Sequence, residues 1–190
     1  GGDGQDALLA TGRLYQNNIG TYVQHGSATI IGGLGDDNST TNGSDNSSYW
    51  WQGLTASNLE NALIQGNDGN DWLYAEYTKN STLEGGSGSD DLLIYVYNWI
   101  HHNYLGSDYG ASHHLDGGDD NDSLTISGGG YYWDGRTDLN LDGGSGNDSL
   151  QVNESSIVNN QGAYATASLS GGDGDDTLNA SGVLQLSLSG

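Results

Sequence analysis

At 190 residues the chain has the length of one ordinary domain, yet 33% apolar content with no Phe or Met is poor material for a deep globular core. Twenty-five acidic residues against three basic ones (Arg13, Lys79 and Arg136) give a formal net charge of −22. That balance excludes nucleic acid as a partner and disfavours an anionic membrane surface, because both call for the Lys and Arg that are lacking.

Cys is absent, so no disulfide framework is available. No charged n-region precedes an apolar stretch, so a cleavable signal peptide is not expected within this sequence. The longest apolar run, residues 92–100, contains Asn98 and is too short to cross a bilayer as a helix. A soluble chain, processed or excerpted from a longer one, is the expectation.

In chain order, one six-residue pattern recurs seven times: GGDGQD from Gly1, GGLGDD from Gly32, GNDGND from Gly66, GGSGSD from Gly85, GGDDND from Gly117, GGSGND from Gly143 and GGDGDD from Gly171. Successive motifs start 31, 34, 19, 32, 26 and 28 residues apart, and Gly171 to Gly190 is again 19. The basic unit is therefore 19 residues, and the other units carry insertions of 12, 15, 13, 7 and 9 residues.

Numbering each unit from its first Gly, position 8 is Leu8, Ser39, Leu73, Leu92, Leu124, Leu150 and Leu178. Position 10 is Ala10, Thr41, Ala75, Ile94, Ile126, Val152 and Ala180, and position 18 is Ile30, Ile64, Leu83, Leu115, Leu141, Leu169 and Leu188. The period-2 spacing of positions 8 and 10 predicts a half-buried strand, so each unit has a short strand on either side of a glycine turn. One unit cannot bury its apolar face alone, whereas stacked units build a narrow continuous core. An all-β parallel β-solenoid of about seven coils, one domain over 1–190, is expected, with the irregular insertions on the side away from the turns.

Position 6 is Asp in every motif: Asp6, Asp37, Asp71, Asp90, Asp122, Asp148 and Asp176. Glycines at positions 1, 2 and 4 permit positive φ and swing carbonyls inward, and the expected ligands are those of positions 2 and 4: Gly2, Gly4, Gly33, Gly35, Gly69, Gly86, Gly88, Gly118, Gly144, Gly146, Gly172 and Gly174. Carbonyl and carboxylate oxygens together suit Ca²⁺, which takes six to eight oxygen ligands in loose geometry, better than Mg²⁺ or a soft metal.

These motifs resemble the GGxGxDxUx nonapeptide of the repeats-in-toxin (RTX) family, over the seven turns and their flanking strands, about half of the chain. The resemblance implies a right-handed parallel β-roll, with Ca²⁺ held between successive coils by turn carbonyls and the position-6 Asp. It further implies bacterial type I secretion and folding outside the cell or at its surface, where Ca²⁺ is millimolar. Insertions in place of the second set of turns imply one Ca²⁺ row instead of two. Asn67 at position 2 and Asp120 at position 4 replace glycines and mark the least regular turns. Six inter-coil ions would bring the formal charge from −22 to −22 + 12 = −10.

The insertions hold most of the aromatics, all Tyr or Trp, including Tyr49, Trp50, Trp51, Trp99, Tyr131, Tyr132 and Trp133. An apolar body with a polar tip suits an intermolecular or glycan contact, or folding back over the thin core. His101, His102, His113 and His114 fall in one insertion, expected to be a solvated loop because nothing spaces them for zinc. No nucleophile elbow, HExxH or phosphate loop is present, so no enzyme is expected.

A calcium-dependent extracellular structural protein is expected: a filament, surface-layer or adhesin segment, self-associating head to tail or laterally, with a polysaccharide as a further partner. The alternatives are an accessory RTX module of a type I-secreted enzyme and a carbohydrate-binding module.

Overall fold

The computed structural model describes residues 2–3, 7–11, 13–16, 22–37, 53–57, 59–96, 111–128, 136–154 and 164–190. Among them there are sixteen strands and no helix. No described helix is therefore long and apolar enough to cross a membrane.

Among the described residues, fourteen of the sixteen strands form two parallel sheets of seven strands each. The first contains β1 (Leu8–Thr11), β5 (Leu54–Ser57), β7 (Trp72–Glu76), β9 (Asp91–Val96), β11 (Ser123–Gly128), β13 (Ser149–Glu154) and β15 (Thr177–Ser181), in that order. The second contains β4 (Ser27–Leu34), β6 (Asn61–Asp68), β8 (Asn80–Ser87), β10 (Ala111–Asp119), β12 (Arg136–Ser145), β14 (Tyr164–Asp173) and β16 (Gln185–Ser189), again in chain order. Only β2 (Arg13–Gln16) and β3 (Tyr22–His25) stand apart, as an antiparallel hairpin inside the first insertion. The chain thus alternates between the sheets, and each strand pairs with its equivalent one unit away.

The alternation has a direct packing cause. In β9 the burial runs exposed, buried, intermediate, buried, intermediate, buried, so Leu92, Ile94 and Val96 face inward. Stacked in register, Leu54, Leu73, Leu92, Leu124 and Leu150 form one inward column, and Ile64, Leu83, Leu115, Leu141 and Leu169 face it from the second sheet. A 19-residue unit places its leucines at the same height each time, which is why so low an apolar content still buries a continuous core.

Register corrects the second unit. Leu54 and Ala56, not Ser39 and Thr41, lie between Leu8 and Ala10 on one side and Leu73 and Ala75 on the other. The fifteen extra residues, 38–52, therefore enter directly after Asp37, on the turn edge, and not on the opposite side. An apolar side chain must fill the column, so the chain defers the strand until Leu54 can supply it. The other four insertions follow β1, β9, β11 and β13 in the chain.

Candidate metal centre

Each turn is reached from an even-numbered strand and left, after its Asp, into an odd-numbered one. Successive turns are bonded through their backbones. The amides of Gly35, Gly69 and Gly146 donate to the carbonyls of Asp68, Ser87 and Asp173 at 2.8 Å. In the other direction Asp91, Ser123, Ser149 and Thr177 donate to the carbonyls of Asp71, Asp90, Asp122 and Asp148 at 2.8–2.9 Å. Positive φ values of 96–143° at the position-2 and position-4 glycines from Gly33 to Gly174 make this path possible. Asn67 and Asp120 adopt φ of 82° and 77°, so both irregular turns keep the same path.

The position-6 carboxylates line the inside of this edge. Asp37, Asp71, Asp90, Asp122 and Asp148 are all 3% exposed or less. Their amides donate in a ladder to the Oδ1 of the next Asp: Asp37 to Asp71 (2.7 Å), Asp71 to Asp90, Asp90 to Asp122 and Asp122 to Asp148 (2.8 Å each), and Asp148 to Asp176 (2.9 Å). Oδ1 is thereby satisfied. The Oδ2 atoms of Asp71, Asp90, Asp122, Asp148 and Asp176 are buried without a hydrogen-bond partner.

Those Oδ2 atoms share their space with a second acceptor. A Cβ built on Gly66, Gly85, Gly117 or Gly143 would collide with Oδ2 of its own turn's Asp, and would also lie 2.5–2.6 Å from the carbonyl oxygen of the next turn's first glycine. Gly32, beside Asp37 and the Gly66 carbonyl, has the same surroundings. Both oxygens thus border the space beside the first-position glycine, and a buried Oδ2 without a donor costs several kcal/mol unless a proton or cation meets it.

Burial accordingly pushes Asp90 up to about 8 and Asp122 up to about 7, the neighbouring carboxylates adding to it and the ladder amides opposing it. Asp71 and Asp148 are raised from the same cause. Glu76 shows the contrast. It too is buried and raised, but Ser57 Oγ (3.0 Å) and the Tyr74 hydroxyl (3.2 Å) donate to its two oxygens.

The expected residues divide as follows. Asp37, Asp71, Asp90, Asp122, Asp148 and Asp176 form the inner column, whereas Gly4 and Asp6 lie outside the described residues. The carbonyls at positions 2 and 4 point along the stack at the next turn's glycine, as Gly2 does at Gly33, Gly86 at Gly118, Gly118 at Gly144, Gly144 at Gly172 and Gly146 at Gly174. The first-position glycines Gly85, Gly117, Gly143 and Gly171 supply the carbonyls that meet Oδ2, and they were not among the expected ligands. Their signal is available in the sequence, since position 1 is Gly in all seven motifs.

Among the described residues no group of three or more His, Cys, Asp or Glu side chains gathers to hold a metal. Any ion on the turn edge would therefore be held by one carboxylate at a time together with backbone oxygens, a donor set for a hard cation. Tyr49, Trp50, Trp51, Trp99, Tyr131, Tyr132, Trp133, His101 and His102 lie outside the described residues.

His113 and His114 correct a second expectation, because they are not in a solvated loop but in β10, on opposite faces. His114 is half-buried beside Asn140 Nδ2 at 3.1 Å. His113 is 1% exposed, pointing inward between Ser81 and Leu139, with neither ring nitrogen bonded. Burial lowers it to about 4.

Comparison with family models, curated proteins and solved structures finds no match to this chain.

Proposed function

We propose that the chain is a calcium-dependent extracellular structural protein, a right-handed parallel β-solenoid of the RTX type whose turn edge binds a single row of Ca²⁺. What supports it most is the meeting, turn after turn, of an unpartnered Asp Oδ2 with the next turn's glycine carbonyl. A hard divalent cation satisfies both oxygens, and it offsets the self-repulsion of a chain with net charge −22. The residues that would hold it are Asp37, Asp71, Asp90, Asp122 and Asp148, with the carbonyls of Gly66, Gly85, Gly117, Gly143 and Gly171. A sixth ion between the first and second turns follows from the repetition of Asp6.

The role is a scaffold: a filament, surface-layer or adhesin segment, secreted by a type I system and folding where Ca²⁺ is abundant, with its Tyr and Trp loops contacting neighbours. Because the ladder forms only when turns stack, binding and folding are coupled. Far-UV circular dichroism during Ca²⁺ titration tests this. A largely unordered spectrum in EGTA that becomes strand-rich with Ca²⁺, and not with equal Mg²⁺, is expected. A strand-rich spectrum indifferent to EGTA at neutral pH would overturn it.

A further inference from the structure

The turns of the row are not equal. The junction between the fourth turn, residues 85–90, and the fifth, residues 117–122, departs from its neighbours in three ways. The first concerns position 4, which is Gly in every other turn. A Cβ built on Gly88, Gly146 or Gly174 would strike the position-4 carbonyl of the turn before it. The fifth turn carries a real Cβ at that place, on Asp120, whose φ of 77° lies below the 116–143° of those three glycines. The backbone is looser here: Gly88 N–H reaches the Asp119 carbonyl at 3.3 Å, whereas the same bond from Gly35, Gly69 and Gly146 measures 2.8 Å.

An outer rung is missing as well. Along position 5, the amides of Asn70, Ser89, Asn147 and Asp175 donate at 2.7–2.9 Å to a side-chain Oδ1 of the preceding turn, on Asp36, Asn70, Asn121 and Asn147 respectively. In the fourth turn that position is Ser89, which has no Oδ1 to offer the Asn121 amide.

Third, the junction gains a carboxylate that nothing ties down. Asp36, Asp68 and Asp119 also stand on the outside of the turns, but each accepts a hydrogen bond at Oδ1, from Asn70, Ser87 and Ser145 respectively. Among the described residues no donor meets the exposed carboxylate of Asp120. Its charge is felt inside: burial raises Asp90 and Asp122 most, the ladder amides oppose it, and Asp120 is among the carboxylates that raise both. The Oδ2 atoms of Asp90 and Asp122 are themselves buried and unpartnered. A junction with fewer backbone ties and one more negative charge is closed less by hydrogen bonds and more by a cation.

We propose that Asp120 makes the cation beside Asp90 Oδ2 and the Gly117 carbonyl the most tightly held of the row, by adding an outer negative charge to that one site. The proposal rests on the calcium row above and adds which of its sites fills first. Ca²⁺ sites are tuned by the number of charged oxygens that face the ion. One exposed carboxylate close to a divalent ion is worth roughly tenfold in affinity.

Site-resolved occupancy tests this. Crystals of the full chain grown with Ca²⁺ are equilibrated in EGTA-buffered solutions of graded free Ca²⁺, and the anomalous peak at each turn is measured. Asp120→Asn keeps the size and the tolerance of positive φ but removes the charge, and Asp120→Gly restores the regular motif. In the unaltered chain the peak beside Asp90 is expected to persist to roughly tenfold lower free Ca²⁺ than the peaks beside Asp71 and Asp148, and to fade together with them in both variants. An Asp90 peak that fades with its neighbours in the unaltered chain, or that outlasts them as strongly in either variant, would overturn the role of Asp120 and leave the calcium row standing. Absence of peaks from every turn of a well-ordered turn edge would overturn the row itself.

Discussion

The turn edge and the far edge of the same units are built from the same short strands, yet one admits almost no variation and the other admits insertions freely. At the turn edge the backbone oxygens of one turn press against the Cα of the next, and the ladder of amides and carboxylates links every pair. At these glycines there is no room for a Cβ atom. At the far edge the strands simply end. Two described units close it tightly through a residue with positive φ, Tyr77 at 51° and Gly182 at 75°, while others lead into extra residues after β9, β11 and β13. Even the exception obeys the rule, since residues 38–52 enter only after the turn is completed at Asp37.

Single substitutions sharpen this contrast. The largest effect is expected from Gly117→Val, whose Cβ would strike Asp122 Oδ2 and the Gly143 carbonyl. Overpacking against fixed backbone predicts a loss of about 3 kcal/mol or more in urea unfolding with Ca²⁺ present. Gly182→Ala on the far edge, where φ is 75°, should cost about 1 kcal/mol. Equal losses at the two sites would break the comparison.

Next comes pH. Asp90 at about 8 and Asp122 at about 7 bind protons more tightly folded than unfolded, so without metal they add stability at low pH that is lost as pH rises through roughly 4 to 8. In EGTA, strand content should be greater at pH 5 than at pH 8, as read by circular dichroism. His113 works against this. Its folded value of about 4 lies below the ordinary 6.5, so its contribution falls as pH drops from 6.5 to 4, by up to about 3 kcal/mol.

His113→Leu removes two unbonded buried nitrogens, and should raise stability at pH 7 by about 1–3 kcal/mol and abolish that acid loss in denaturant titrations across pH. The smallest effect is expected at Tyr77 on the far edge. Tyr77→Gly relieves its positive φ, and urea unfolding should register a change within about 1 kcal/mol.

Much of the contrast is legible in the sequence. The 19-residue spacing yields the columns of Leu73, Leu92, Leu124 and Leu150 in the register observed. The site of the second insertion is not found by counting on from Asp37, because counting assumes that extra residues fall on the far edge. Ser39, the one polar residue in its column, is the local sign of the fault, and the spacing of Leu54 and Ala56 repairs it. His113 is misplaced for a related reason. A pair of His beside an aromatic-rich insertion suggests a loop, although His113 lies two residues before the inward Leu115 and so shares its face. The first-position glycines count in the sequence only as turn formers, whereas in the structure their missing Cβ makes room for a carboxylate oxygen and a carbonyl together.

The central claim, that the turn edge holds one row of hard cations, is tested most directly by crystals grown with Ca²⁺ and measured for anomalous scattering at long wavelength. A file of peaks is expected along the turn edge at about 4.8 Å intervals, each beside Oδ2 of Asp37, Asp71, Asp90, Asp122 or Asp148, with the Asp122 peak absent from Asp122→Asn. A well-ordered turn edge without such peaks, its Oδ2 atoms bonded to protons or water instead, would contradict it.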